Sequence, residues 1–150
     1  MPGKTSFVKA GRGEVLRVLA QEAQVKCAGE ETGGQWALFE LTIQSDDCTP
    51  VHYHEWDEAY YILSGEVEFV LDGQRLRAST GDFLNVPRGI PHTIIGVAPF
   101  SRALQLAFPS NLEAFYREMN EEPIELPQDL DRVLEIAKRH EITPIFEPLP

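Results

Sequence analysis

The sequence predicts an all-β domain followed by a helical C-terminal extension, and three observations support this prediction. Apolar and polar residues alternate over several short segments before residue 108, as in strands with one buried face. Turn sequences rich in glycine, proline and aspartate separate these segments. From Ser110 onward apolar residues recur at three- and four-residue spacing, which indicates amphipathic helices. We therefore expect one domain over residues 1–150, with strands at about 14–108 and helices at about 110–150.

The first strands follow a short arm. Residues 1–13 contain three glycines and a proline and are expected to form a poorly ordered arm or an edge strand. Residues 14–20 are predicted as a strand from their β-branched content, and residues 30–34 as a loop. Residues 35–43 alternate strictly, so they form a strand whose apolar face consists of Ala37, Phe39, Leu41 and Ile43.

The later strands are short and closely spaced. Asp72-Gly73 lies between two alternating runs, and this dipeptide strongly favours a two-residue hairpin. Further strands are predicted at residues 83–86, 92–97 and 102–108. Residues 87–91 hold two prolines and a glycine, so they cannot join a ladder and are expected to be a loop.

The C-terminal segment has helix end signals. Ser110 and Glu113 have the spacing of a capping box, and an apolar stripe follows them. A second helix is predicted from Pro127, with acidic residues in its first turn and basic residues in its last. His140 lies in that last turn, so we interpret it as a charge that complements the helix dipole and not as a metal ligand. Residues 143–150 suit an extended segment against the strands.

Composition excludes several functional classes. The 150 residues are 43% hydrophobic and 25% charged, which is ordinary for a soluble globular protein. The net charge of −11 argues against a nucleic acid or an anionic membrane as partner. We expect no signal peptide, no membrane span and a cytoplasmic location, since no apolar run approaches the ~20 residues that a span needs. Cys27 and Cys48 lack the spacing of a redox or zinc motif and are expected to be reduced thiols.

Three of the four histidines lie in two blocks that we interpret as one metal site. His52 and His54 are two apart, so in a strand they share a face. Glu58 has the same parity and shares that face if the strand is continuous. Alternatively, residues 55–57 form a turn and Glu58 lies on a neighbouring strand. His92 follows the loop at residues 87–91.

The chemistry of this set suits a transition metal. Imidazole and carboxylate groups bind iron, manganese, nickel, copper and zinc. Three imidazoles and one carboxylate on an octahedral ion leave about two positions for water or substrate. A structural zinc site would close all positions and favour cysteine, and neither cysteine lies in the two blocks.

The two blocks resemble the two signature motifs of the cupin superfamily. Residues 52–65 match H-x-H-x3-E-x6-G, and residues 81–92 match G-x5-P-x-G-x2-H. The resemblance implies a double-stranded β-helix, or jelly-roll barrel, with one divalent metal held by His52, His54, Glu58 and His92. Two positions depart from the common family pattern, Asp46 in place of glycine and Gly96 in place of asparagine, but neither is a ligand position.

The helical tail is similar to that of small single-domain cupins of the quercetin 2,3-dioxygenase-like group. This resemblance implies a metal-dependent dioxygenase on a small aromatic or enolic substrate, with Glu58 as a ligand that also accepts the substrate's proton. Alternate residues of the strand at 102–108 should face the barrel interior, so Gln105 or its neighbours are candidates for substrate contact, although parity does not decide which set points inward. Aromatic side chains that could line the pocket, or simply fill the core, are Trp36, Tyr60 and Phe83.

Two other functions stay open at this point. One is a metal-dependent isomerase, epimerase or lyase on a sugar-like or hydroxy-acid substrate, which needs cationic side chains in the pocket. The candidates are Arg75, Arg77, Arg88 and Arg102. The other is a binding or sensing module without turnover, because one fold serves many functions. Since two amphipathic helices need an apolar surface to cover, from their own barrel or from a partner's, we also expect a homodimer.

Overall fold

A computed structural model of the chain describes residues 2–46, 48–146 and 148–150. Its strands form two antiparallel sheets. The six-stranded sheet has the order β1-β2-β3-β10-β5-β8, and the five-stranded sheet has the order β11-β4-β9-β6-β7. The strand bounds are β1 Val15–Val18, β2 Gln21–Cys27, β3 Ala37–Ile43, β4 Val51–Tyr53, β5 Asp57–Ser64, β6 Glu66–Leu71, β7 Gln74–Ser79, β8 Phe83–Val86, β9 His92–Gly96, β10 Ser101–Phe108 and β11 Thr143–Ile145.

The core lies between the inner faces of the two sheets. The apolar face predicted for β3 is confirmed, because its four residues are at most 1% exposed. The hairpin at Asp72-Gly73 is also confirmed, and it joins β6 to β7 with both turn residues at positive φ. In each strand, alternate side chains point inward, and those of the two sheets pack against each other to form the core. Side chains from other strands that complete this core include Ile62, Val67, Phe69, Val86 and Ala103.

Two helices follow the strands. α1 spans Asn111–Glu121 and α2 spans Leu130–Arg139. α1 buries Leu112, Tyr116 and Met119, and it contacts β1, β10 and α2. The apolar stripe of each helix therefore packs within the same chain. The predicted all-β fold with a helical C-terminal extension is confirmed. No helix among the described residues is long and apolar enough to cross a membrane.

Some local predictions differ from the structure. β2 was missed, because the buried positions of its alternation include the polar Gln21. Residues 30–34, expected to be a loop, overlap a short 3-10 helix at Gly29–Thr32. α2 begins at Leu130, after turns that start near Pro127. The capping box is wrong: Ser110 makes no side-chain cap bond, and Glu113 Oε1 instead accepts a hydrogen bond from Gly29 N at 2.6 Å. A long-range contact thus replaces the local one.

Candidate metal centre

The three histidines of the two motif blocks meet in space although they come from different segments. His52 lies on β4 and pairs directly with His92, the first residue of β9. His54 follows β4 by one residue. The continuous strand through Glu58 is wrong: the chain bends after His54, and Glu58 lies on β5 in the other sheet. The alternative with a turn is therefore correct, and the candidate centre lies where the two sheets face each other.

The histidine rings form a compact cluster. One potential ligand atom from each of His52, His54 and His92 lies within 4.8 Å of the other two, a spacing that could hold one metal ion. The ring centroids of His52 and His92 are 4.6 Å apart, and those of His54 and His92 are 5.0 Å apart. His54 and His92 are each only 2% exposed. Three imidazoles held this close, two of them buried and His52 partly exposed, suggest a divalent metal site.

The hydrogen bonds of the three rings determine which nitrogen atoms face the centre. Nδ1 of His52, His54 and His92 lies 2.9, 3.0 and 2.8 Å from the backbone carbonyls of Pro50, Trp56 and Ile90. A carbonyl oxygen only accepts, so each Nδ1 carries the proton and each neutral ring presents a lone pair at Nε2. Nε2 of His54 and of His92 are buried without a hydrogen-bond partner. Buried polar atoms without partners are rare, and a metal ion would satisfy both, so the residues fit a metal.

Glu58 lies beside these nitrogen atoms and is itself held by two donors. Its Oε1 is 3.2 Å from His54 Nε2, and its Oε2 is 3.3 Å from His92 Nε2. These distances suit ion pairs, but the two nitrogen atoms lack the geometry of hydrogen-bond donors. Trp56 Nε1 donates to Oε1 at 3.2 Å, and the Tyr60 hydroxyl donates to Oε2 at 2.8 Å. The lone pairs of the Glu58 oxygens therefore face those of the two Nε2 atoms. At this distance they repel each other unless a proton or a metal ion lies between them.

The electrostatics of the cluster suit cation binding. Burial, together with the neighbouring His92, lowers the pKa of His52 to about 4, so His52 is neutral near pH 7. Burial opposes the ionisation of Glu58, but the adjacent His54 and His92 outweigh it and keep the pKa of the carboxyl well below its usual range. Burial also opposes the charged form of His92, but Glu58 raises its pKa overall. Neutral imidazole and ionised carboxylate are the forms that bind metals, so His52 and Glu58 are in the binding form and a metal ion would replace a proton at His92.

A cavity of about 110 Å³ opens onto the candidate centre. Its walls come from both sheets and from both helices, and they include Leu41, Ile94, Phe115, Met119 and Leu134. Among the described residues, no lysine or arginine lines this cavity. The polar groups that reach it besides the histidines and Glu58 are Gln21, Thr49, Tyr60, Thr93, Gln105 and Tyr116. The cavity is thus mainly apolar, with its charged groups concentrated at the candidate centre.

The structure separates the predicted pocket residues into two groups. Tyr60 and Gln105 line the cavity, so the inward set of β10 is the one that contains Gln105. Trp36 does not line it, and Phe83 is 65% exposed, so both predictions as pocket walls are wrong. His140 pairs with Glu118 on the helices, in agreement with its interpretation as a helix-end charge.

The four arginines proposed for an anionic substrate all lie in ion pairs outside the cavity. Their partners are Glu68 for Arg75, Glu66 for Arg77, Asp57 for Arg88 and Glu40 for Arg102. Each arginine side chain is more than 40% exposed. The cationic pocket that a sugar-acid substrate would require is therefore not formed by these residues.

Sequence reasoning missed two residues of the site. Trp56 is 2% exposed, stacks on the His54 ring at a centroid distance of 4.0 Å and donates to Glu58. A tryptophan between two ligand candidates was a signal that could have identified it. Tyr116 belongs to the apolar stripe predicted after Ser110, but it also lines the cavity and its hydroxyl donates to Gln105 Oε1. Helical periodicity gives the buried face of a helix and does not show that this face meets a functional site.

Comparison with known proteins supports the resemblance inferred from the motifs. Residues 39–100 match the family model described as the cupin domain, and this range contains His52, His54, Glu58 and His92. Over 111 residues, or 73% of the chain, the sequence is 29% identical to quercetin 2,3-dioxygenase of Bacillus subtilis (strain 168). The chain spans about a third of the length of that relative, 33% of which is covered.

Solved structures show the same fold. KdgF from Halomonas sp. is 20% identical with a TM-score of 0.64, and the match covers 71% of this chain and 94% of that one. The polyketide cyclase RemF from Streptomyces resistomycificus is also 20% identical, with a TM-score of 0.63 and coverage of 89% of this chain and 96% of that one. At this level of identity the likeness concerns the fold alone. The predicted cupin jelly roll is confirmed.

Proposed function

Because this chain has the cupin fold and carries a cupin domain with a buried three-histidine cluster, we propose that it is a metal-dependent dioxygenase that acts on a compact, uncharged aromatic or enolic substrate. The observation that carries the proposal is the convergence of three Nε2 lone pairs and the Glu58 carboxylate on a mainly apolar cavity. We propose His52, His54, Glu58 and His92 as the ligands of one divalent transition metal.

The proposed metal and the residues around it would have separate roles in the reaction. When bound, the metal would supply Lewis acidity and redox chemistry for the reaction of the substrate with dioxygen. The backbone carbonyls that accept from each Nδ1 keep the imidazoles in the binding tautomer. Glu58 would accept the acidic proton of an enol or phenol, because a carboxylate has four lone-pair sites and only two of them take protein donors.

The walls of the cavity favour an uncharged substrate. A substrate carboxylate could bind the proposed metal, but no lysine or arginine among the described lining residues would hold a further anionic group. The mainly apolar walls also favour an aromatic or enolic compound over a sugar-like substrate with many hydroxyl groups. The volume of about 110 Å³ is below the ~150 Å³ of an engineered cavity that holds benzene. Even a one-ring substrate that enters fully would therefore require side chains of the cavity walls to move.

The relative of known activity is consistent with this chemistry. A quercetin 2,3-dioxygenase matches 73% of this chain. By analogy we propose oxygen-dependent cleavage or oxidation of a smaller enolic compound, such as a catechol or a diketone. The non-oxidative alternative, an isomerase or lyase, becomes the conclusion if turnover does not need oxygen.

A homodimer is proposed from a different surface than the helices. The apolar stripe of α1 buries Leu112, Tyr116 and Met119 within the chain, and α2 buries Ile136 and Ala137 while Leu130 is exposed, so the helices need a partner less than expected. The outer face of the β10-β5-β8 region instead exposes Phe83 and Phe108. Exposed apolar patches of this kind mark interfaces. Light scattering should give the mass of two chains, and Phe83→Glu should give one. A monomeric wild type would refute the proposal.

The proposed function is tested by metal analysis combined with an oxygen-electrode screen. The wild type should carry about one transition metal per chain and should consume oxygen in step with a catechol or diketone. His92→Ala should lose metal and activity while it keeps its circular dichroism spectrum. His140→Ala is the matched control, because it removes a histidine that pairs with Glu118 away from the centre.

The outcomes separate the alternatives. A metal-free wild type, or full metal occupancy in His92→Ala, would refute the proposed ligand set. Equal turnover without oxygen would replace the dioxygenase by an isomerase or lyase. If no substrate in the screen is converted although metal is bound, a binding module becomes the better description.

A further inference from the structure

A buried chain of hydrogen bonds connects the first helix to Glu58. The Tyr116 hydroxyl on α1 donates to Gln105 Oε1 at 2.8 Å. Gln105 Nε2 on β10 donates to the Tyr60 hydroxyl at 2.9 Å, and that hydroxyl donates to Glu58 Oε2 at 2.8 Å. All four side chains are at most 6% exposed. The helical extension is therefore linked, through three bonds, to the carboxylate of the candidate centre.

The direction of every bond in this chain is determined by chemistry. The Glu58 carboxylate can only accept, so the single proton of Tyr60 must point toward it. The Tyr60 oxygen must then accept from Gln105, which places the amide NH₂ toward Tyr60 and the amide oxygen toward Tyr116. Burial raises the pKa of both tyrosine hydroxyls, and Glu58 raises them further, so both keep their protons. One orientation of the whole chain satisfies all of its members.

We propose that Gln105 and Tyr116 are positioning residues that hold the Glu58 carboxylate in one orientation, so that the helical extension sets the metal affinity of the centre. This inference rests on the proposed metal site. In the described part of the chain, neither residue forms a hydrogen bond to a histidine. They act through Tyr60 on Oε2, while Trp56 donates to Oε1. A carboxylate that is fixed before the metal arrives loses less freedom on binding.

The contribution of each hydroxyl and amide can be separated from packing. The Tyr116 ring contacts the Phe39 ring edge to face at a centroid distance of 5.2 Å, a contact that phenylalanine at position 116 would keep. Tyr116→Phe therefore removes the hydrogen bond from position 116 to Gln105 and changes little else. Gln105→Leu keeps similar bulk but removes both the acceptor for Tyr116 and the donor to Tyr60. Partners of metal ligands typically change metal affinity by about 10–100-fold when they are removed.

The test measures Co²⁺ binding by competition with a chelator, in the wild type, Tyr116→Phe, Gln105→Leu and the control Tyr61→Phe. Tyr61 carries its hydroxyl on the outer face of β5 and is 44% exposed. Gln105 and Tyr116 lie one and two hydrogen bonds beyond Tyr60, the direct partner of Glu58. We therefore expect the dissociation constant to rise by up to about tenfold in Gln105→Leu and by less in Tyr116→Phe, with no change in Tyr61→Phe. The visible absorption of bound Co²⁺ should change in the first two variants, because the ligand geometry is less uniform.

Unfolding of the metal-free proteins provides the second readout. If Tyr116→Phe and Gln105→Leu lower the unfolding midpoint but bind Co²⁺ like Tyr61→Phe, the two residues only pack the core and the positioning role is refuted. If the wild type itself does not bind Co²⁺, the proposed metal site fails and this inference fails with it. The two failures are thus distinguished by the wild-type titration alone.

Discussion

Replacement of Glu58 by glutamine examines the candidate centre most directly. The carboxylate accepts from two buried donors, Trp56 Nε1 on Oε1 and the Tyr60 hydroxyl on Oε2. Glutamine keeps the size of the side chain but turns one of these acceptor oxygens into an NH₂ donor. One of the two donors would then face another donor inside a site that is 2% exposed.

Reorientation does not remove this conflict. If the new amide NH₂ points toward Tyr60, the tyrosine can accept from it only by turning its own proton to Gln105. Gln105 must then flip and donate to Tyr116, whose hydroxyl proton loses its acceptor. Either arrangement leaves one buried donor without a partner, which costs about 1–3 kcal/mol. The new NH₂ can donate to the unpartnered Nε2 of His54 or of His92, which offsets part of that cost. We therefore expect the free energy of unfolding of metal-free Glu58→Gln to fall, but by less than that amount.

The assay is urea unfolding of metal-free protein, analysed by linear extrapolation. Glu122→Gln is the matched control, since Glu122 pairs with Arg132 at the surface and such pairs contribute about 0–1 kcal/mol. With saturating metal, loss of the proposed base should also lower turnover by about 10²–10⁴-fold. A Glu58→Gln protein as stable as the wild type would show that the hydrogen bonds from Tyr116 through Gln105 and Tyr60 to Glu58 are not oriented as described.

Two further predictions concern stability. Gly65 has φ of 85° and a Cβ there would lie 2.3 Å from Ser101 Oγ, whereas Gly73 has φ of 80° and open space around it. Gly65→Ala should thus destabilise the protein by more than the ~1–3 kcal/mol of backbone strain that Gly73→Ala shows, and equal unfolding midpoints would contradict this. Glu118 joins the helices, and its hydrogen bond from Arg139 lowers the pKa of the carboxyl below 4.5. The stability difference between wild type and Glu118→Gln should shrink as the pH falls below 4.5; a difference that grows in acid would refute the assignment.

Much of the fold could be predicted from sequence patterns that lie within one short segment of the chain. The β3 face was predictable because its alternation is strict, and the Asp72-Gly73 hairpin because the turn chemistry is local. The histidines were predictable as one cluster because their motif spacing is specific. The position of Glu58 stayed ambiguous, since the bend after His54 depends on how the chain passes from one sheet to the other.

The inward face of β10 shows why periodicity was not sufficient elsewhere. Its buried set is Ser101, Ala103, Gln105 and Ala107, which is smaller and more polar than the outward pair Leu104 and Leu106. Hydrophobicity alone would have placed the leucines inside. The inner positions are small because the aromatic rings of neighbouring strands and of α1 fill that space, and the leucines lie on the half-buried outer face. Such a choice depends on contacts distant in sequence.

The same long-range packing gives the helical extension two roles at once. Phe115, Met119 and Leu134 close the cavity, so they limit the size of any substrate. Tyr116 on the same helix donates to Gln105, the first of the three hydrogen bonds that lead to Glu58. A shift of α1 large enough to admit a bulkier substrate would also move this donor away from Gln105. If the proposed positioning is correct, enlarging the cavity by a displacement of α1 weakens metal binding, whereas trimming Leu134 on α2 enlarges it without that effect.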